Sequence, residues 1–172
     1  PYVFPAKYLT YAFSYTGGAL LQWCTDTLAK QEKEKAAEQG VSVNEYLEQD
    51  YQKKHGSVPS DLLVLPHFAG AATPYMDAGS RGAVIGLNIS TSVSDIYRGC
   101  MEGVAYEMRL NMEHLSGSGL RCQVLNATGG GARSSVWMQM KADILNIPVA
   151  ALETVDAGTV GSAMMTGIAA GC

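Results

Sequence analysis

One segment, TGGGARSSVWMQMKADIL at residues 128–145, constrains the fold of this chain more than any other. It follows a short apolar run at 122–127 that is bounded by turn-formers and reads as a buried strand. Three consecutive glycines, Gly129, Gly130 and Gly131, let the backbone take positive φ and leave no side chain between the main chain and whatever approaches it. Ser134 or Ser135 can then cap a helix in which Val136, Met140 and Ile144, with Trp137, recur at helical spacing toward a core. The first N–H groups of such a helix have no partner within it and point out of the turn, a geometry suited to a phosphate or a ribose.

A tight strand-to-helix turn would by itself explain the glycines. A P-loop does not, because there is no GxxxxGK[ST] and Lys141 lies inside the helix. A dinucleotide fingerprint comes closer. Gly129 and Gly131 are one apart, and Glu153 ends the next apolar run at about the interval of a ribose-binding acid, but Ser134 stands where the third glycine belongs. An NAD-dependent oxidoreductase with a Rossmann-like turn is therefore one alternative.

The chain has 172 residues, enough for one sizeable core, and it opens at Pro1 without a Met and closes at Cys172 directly after a predicted helix. Both ends read as cuts through a longer polypeptide. Apolar residues make up 47% and charged residues 16%, and the net charge of −4 gives no electrostatic footprint for nucleic acid. Cys24, Cys100, Cys122 and Cys172 stand far apart and form no ligand spacing with His55, His67 or His114, so no metal site is expected. Each Cys adjoins an apolar run, as free buried thiols do in a reducing compartment, so a cytoplasmic location is expected. No apolar run is long enough for a membrane span.

In chain order, the aromatic-rich residues 1–15 predict one or two strands interrupted by Pro5. Thr16 is expected to cap a helix over 19–30, with Leu20, Leu21, Trp23 and Leu28 toward the core. Gly17 and Gly18 open that helix, and Gln22 lies one turn after Gly18 on the same face. Residues 31–56 turn strongly polar. Gly40 breaks them, and Asn44 is expected to cap a helix over 45–54. Strands are predicted at 62–65 and 83–87, with a turn-rich loop at 67–82 between them. Thr91 or Ser92 opens a long amphipathic helix to about residue 115, on which Arg98 and Glu102 read as an ordinary surface ion pair. After a buried strand at 147–152, Asp156 opens a final helix whose small residues, Gly158, Gly161, Ser162, Ala163 and Ala169, suggest close packing against a neighbouring helix or strand or, equally, the wall of a nucleotide pocket.

The order of these pieces says more than any one of them. TGGALLQW, LPHFAGAATPYMDAGSRGAVIGL, YRGCMEGVAYEMR, TGGGARSSVWMQMKADILNIPV and DAGTVGSA, in that order, resemble the C-terminal domain of the FGGY carbohydrate kinases. The resemblance covers nearly the whole chain and is weakest over 31–56. It implies an α/β, actin-like ATPase (ribonuclease H-like) domain, a mixed sheet with helices on both faces, one of two domains that close on ATP. Residues 1–172 would be that C-terminal domain, incomplete on its N-terminal side, with the N-terminal sugar-binding domain outside the chain.

The implied function is the ATP-binding part of a kinase that transfers the γ-phosphoryl of ATP, with Mg²⁺, to a sugar or polyol hydroxyl. A non-catalytic actin-like nucleotide-binding module is a further alternative, and homo-oligomer formation is left open. The resemblance puts Gly18, Gln22, Gly129, Gly130, Gly131 and Ser134 beside the nucleotide, and it puts the catalytic Asp upstream of this chain. No residue here is assigned as base. Ala71 and Ala72 stand where xylulose-kinase-like members carry Glu and Arg, which counts against that substrate. Ser134 takes a place that is Asn in glycerol kinases.

Overall fold

The computed structural model describes residues 6, 8–152 and 156–171. Six helices are present among them: α1 (Gly18–Thr27), α2 (Lys30–Glu38), α3 (Val43–His55), α4 (Val93–Gly117), α5 (Ser135–Leu145) and α6 (Ala157–Ala170). Strand β1 (Leu63–Leu65) pairs antiparallel with β2 (Ala83–Ile85), placing Val64 opposite Val84. Strand β3 (Leu125–Ala127) pairs parallel with β4 (Val149–Ala151), placing Asn126 opposite Ala150. Because parallel neighbours need a crossover, α5 connects β3 to β4.

Helix α4 is the axis of the core. Its N-terminus is fixed by a capping box in which the Asp95 carboxylate accepts both the N–H and the hydroxyl of Ser92 at 2.6 Å. Tyr97, Cys100, Met101 and Val104 recur at helical spacing and are buried against Leu20, Leu21 and Cys24 of α1, Leu47 of α3, Val64 of β1, and Trp137 and Met140 of α5. Strand β1 lies directly on this helix. A Cβ on Gly103 would stand 2.5 Å from the Val64 carbonyl oxygen, so only glycine permits that approach. Each fully buried Leu in such a core contributes about 1.5–3 kcal/mol.

Several sequence expectations need correction. Residues 8–15 contain no strand; they are tied to the loop at 67–82 by Phe13, whose N–H donates to Thr73 Oγ1 (3.2 Å) and whose carbonyl accepts from the Thr73 N–H (3.1 Å). The rest of the predicted strand region, residues 1–5 and 7, lies outside the described residues. The first helix ends at Thr27, and α2 begins at Lys30 after the fully buried Ala29. Thr16 does not cap α1, because its hydroxyl donates to the Pro66 carbonyl instead. Ser42, not Asn44, caps α3, accepting the Glu45 N–H at 3.2 Å.

Trp23, Leu28 and Val136, expected in the core, are 36–38% exposed, and Trp23 packs at a tilt against Phe68 near the surface. The strands near 125 and 149 are three residues long and only partly covered, and Cys122 is exposed. Asp156 does cap α6 through the Thr159 N–H (3.0 Å), but no described residue of α6 is buried, and none lines the cavity described below. Arg98 and Glu102 are not a surface pair. Glu102 is 2% exposed, takes the Arg98 Nε at 2.6 Å and accepts the Ser60 N–H with both oxygens at 3.1 Å, pinning the β1 approach to α4.

Candidate nucleotide cavity

Three stretches far apart in the chain enclose a cavity of about 650 Å³, within the usual range for small-molecule sites. Helix α1 supplies Gly18, Leu21 and Gln22. The cap and first turns of α3 supply Ser42, Asn44, Glu45 and Glu48. A third wall is Gly130, Gly131, Arg133, Ser134 and Trp137, and Tyr97 of α4 also lines the cavity. Of the residues singled out from the sequence, Gly18, Gln22, Gly130, Gly131 and Ser134 come together here, while Gly129 does not line the cavity.

The α1 wall ends in an open helix terminus. Gly17 offers no side-chain cap, no acidic residue occupies the first turn, and Thr16 is turned away to Pro66. The positive end of the helix dipole therefore meets the cavity without a counter-charge from its own first turn. One turn on, Gln22 Nε2 donates to Asp26 Oδ2 at 2.7 Å, and Asp26 also pairs with Lys33 at 2.6 Å. The Gln22 bond, then Lys33, hold the Asp26 carboxyl below the usual carboxylate range. Gln22 keeps its carbonyl oxygen and a second N–H for the cavity.

Each glycine of the turn has a different reason to be there. Gly129 has φ of 85°, the left-handed region that favours glycine, and it starts a 3-10 turn over Gly130–Arg133. Gly131 lies under Trp137, and a Cβ there would stand 2.7 Å from its Cζ3. Gly130 faces open space, with nothing within 4 Å of an added Cβ. Trp137 is itself fixed, since its Nε1–H donates to the Met101 carbonyl at 3.1 Å and Lys141 Nζ sits 3.8 Å over its ring.

Ser134 caps α5 by accepting the Trp137 N–H at 3.0 Å, and its hydroxyl donates to Glu48 Oε1 at 2.8 Å. Burial pushes the Glu48 carboxyl up and the Ser134 bond opposes that push; the net direction is upward. Sequence reasoning missed Glu48, because a Glu in the polar 31–56 segment reads as a solvated helix face. Only the packing of α3 and of α5 on the shared helix α4 brings Glu48 to Ser134 at the cavity. A second polar cluster lies elsewhere: His67 Nδ1 meets Ser80 Oγ at 2.8 Å, His67 Nε2 is 3.6 Å from Glu107 Oε1, and Glu107 Oε2 and Asn111 Oδ1 are buried without a partner among the described residues.

The model of the C-terminal domain of the FGGY family of carbohydrate kinases matches residues 3–170. The chain belongs to that family. Among curated members, the glycerol kinase of Aquifex aeolicus (strain VF5) is 33% identical over 157 residues, which is 91% of this chain and 30% of that protein. Among solved structures, the ligand-bound xylulose kinase of Lactobacillus acidophilus superposes with a TM-score of 0.70 at 23% identity, over 92% of this FGGY chain and 30% of the kinase. The Plasmodium falciparum glycerol kinase with ADP gives a TM-score of 0.60 at 24% identity, over 69% of the chain and 24% of that kinase.

The fold is that of the actin-like ATPase domain of FGGY sugar kinases. The chain spans about 30% of the length of the curated relatives it matches. Neither an NAD-dependent oxidoreductase nor a non-catalytic module finds support among these relatives, and Glu153, on which the first alternative leaned, lies outside the described residues. Ala71 and Ala72 of this FGGY chain are fully buried, so the loop there is packed by methyl groups. Among the described residues no helix is long and apolar enough to cross a membrane.

Proposed function

We propose that this chain, residues 1–172, is the ATP-binding C-terminal domain of a sugar or polyol kinase, which transfers the γ-phosphoryl of ATP to a carbohydrate hydroxyl. The observation that carries the reading is the meeting of Gly18 and Gln22 from α1 with Gly130, Gly131 and Ser134 on one cavity, in a chain of this family. The ADP in the Plasmodium falciparum glycerol kinase supports an adenine nucleotide as the occupant.

The cavity suits such a molecule from end to end. Phosphates favour the open N-terminus of α1 at Gly18, where N–H groups and the helix dipole attract negative charge. The nucleoside then lies toward α3 and the α5 wall, with Gly130 allowing close approach of the main chain. Phosphoryl transfer asks the protein chiefly for positioning and for charge stabilisation. Gly18, Gln22, Gly130 and Ser134 would position the nucleotide. Mg²⁺, when bound with the nucleotide, would supply charge neutralisation at the phosphates. The carbohydrate and the carboxylate that takes its proton would be held mainly by the parent protein outside this chain. A cytoplasmic setting fits the free, buried thiols of Cys24 and Cys100.

Calorimetric titration of the parent polypeptide with ATP–Mg²⁺ and with NAD tests the reading. Saturable ATP binding with no NAD binding is expected. A folded protein that ignores ATP overturns it.

A further inference from the structure

We infer that Glu48 is a specificity-determining residue of the nucleotide site, an acceptor that selects a hydrogen-bond donor on the nucleoside. This rests on the nucleotide reading above and goes beyond the residues that reading uses. The Ser134 hydroxyl has one proton and two lone pairs. Its proton goes to Glu48 Oε1 at 2.8 Å, and one lone pair takes the Trp137 N–H at 3.0 Å. What Glu48 and Ser134 together present to the cavity is therefore acceptors only.

Charge decides which part of a nucleotide can stand there. Glu45, one turn before Glu48 on α3, lines the same wall, so the α3 side of the cavity carries two carboxylates, while the cation that also lines the cavity, Arg133, comes from the turn before α5. A polyphosphate beside them would set like charges together in a partly desolvated place, whereas the α1 terminus offers the opposite field. The neutral, donor-bearing end of the nucleotide is thus left for Glu48. Two groups on adenosine supply such donors, the exocyclic amine of the base and the ribose hydroxyls, and they share the chemistry that Glu48 would read. A base bearing a carbonyl oxygen in place of the amine would set acceptor against acceptor, the mismatch that polar sites reject most strongly.

The test uses the full polypeptide that carries this chain, as wild type, Glu48→Ala and Glu48→Gln, titrated with ATP, ITP, 2′-deoxy-ATP and 3′-deoxy-ATP. Wild type should prefer ATP to ITP if the amine is read, or ATP to one deoxy analogue if the ribose is read. Glu48→Ala should weaken ATP binding by about 10- to 100-fold, the scale of losing a hydrogen bond to a charged group, and should erase that preference. Glu48→Gln, close in shape and able to donate as well as accept, should relax the preference while losing less affinity, and it gives the readout if Glu48→Ala does not fold.

Wild-type ATP binding that discriminates and is unchanged in both variants overturns the Glu48 assignment and leaves the nucleotide reading standing. Weaker ATP binding with the same preference also overturns it, because Glu48 would then only be positioning Ser134. A wild type that binds no purine nucleotide overturns both.

Discussion

A methyl group on Gly131 would lie 2.7 Å from Cζ3 of Trp137, whereas one on the adjacent Gly130 would meet nothing within 4 Å. Trp137 cannot retreat without giving up its bond to the Met101 carbonyl. Gly131→Ala should therefore destabilise the fold by about 1–3 kcal/mol, the range for overpacking. Gly130→Ala should change stability by less than about 1 kcal/mol, since φ there is not in the left-handed region, yet it should weaken ATP binding. Urea unfolding and ATP titration on both variants separate the two effects. A Gly130→Ala protein that keeps full ATP affinity would show that this glycine serves the turn alone.

Gln22 and Ser134 reach the cavity from different helices and should be separable. In the parent polypeptide, on the proposed reading, each substitution to Ala is expected to weaken ATP binding by about 1–3 kcal/mol, the scale of one lost partner in a desolvated hydrogen bond. Sugar affinity should hardly move. Gln22 is exposed, so its variant should melt like wild type, while Ser134→Ala also loses a helix cap and about 1 kcal/mol of stability. A shift in sugar affinity with ATP affinity intact would contradict both assignments.

Glu102 holds Arg98 and the Ser60 N–H in a nearly closed environment. Glu102→Ala leaves a guanidinium and a backbone donor short of their partner, and a loss of about 3–5 kcal/mol is expected. Denaturant midpoints settle it. A loss below 1 kcal/mol would mean that water replaces the carboxylate freely.

Asp95 gives the fold an acid limb. Burial pushes its carboxyl up, but the Ser92 hydroxyl, the Ser92 N–H and His55 at 2.8 Å outweigh that, and the net direction is down. A carboxyl depressed in the folded state stabilises the fold above its unfolded value, near about pH 3.9, and loses that contribution as pH falls through the folded value. Asp95→Asn should be less stable than wild type at neutral pH, with the gap closing in acid. Unfolding curves between about pH 7 and pH 3 read it, and a gap that stays constant would exclude Asp95 as the titrating cap.

With about 30% of its relatives' length, the chain alone should show no carbohydrate-dependent ATP consumption. A coupled assay on the purified chain, free of contaminating kinase, reads this. Sugar-dependent turnover above background would place a base and a sugar site within these residues.

Much of this was legible because local chemistry dictates it. The glycine turn, the Ser134 cap, the capping of α4 at Ser92 and the Asp156 cap all follow from a few neighbouring residues. Where the sequence misled, distant packing had the deciding part. Thr16 has the right side chain for a cap, but Pro66 offers it a carbonyl. Arg98 and Glu102 are spaced like any surface pair until β1 and the Ser60 loop cover them. Glu48 shows nothing in its own neighbourhood that marks it, since its partner is Ser134.

That last bond joins residues 86 positions apart, and synthesis runs in one direction. During translation the α3 wall is complete long before the glycine turn and α5 have been made, so the nascent chain carries half of a cavity and nothing to close it. If the cavity takes nucleotide as proposed, the ligand then finds no complete site early in folding. It can act only as a late lock, stabilising the finished domain by mass action once α5 has docked on α4, with a gain that grows with the logarithm of nucleotide concentration.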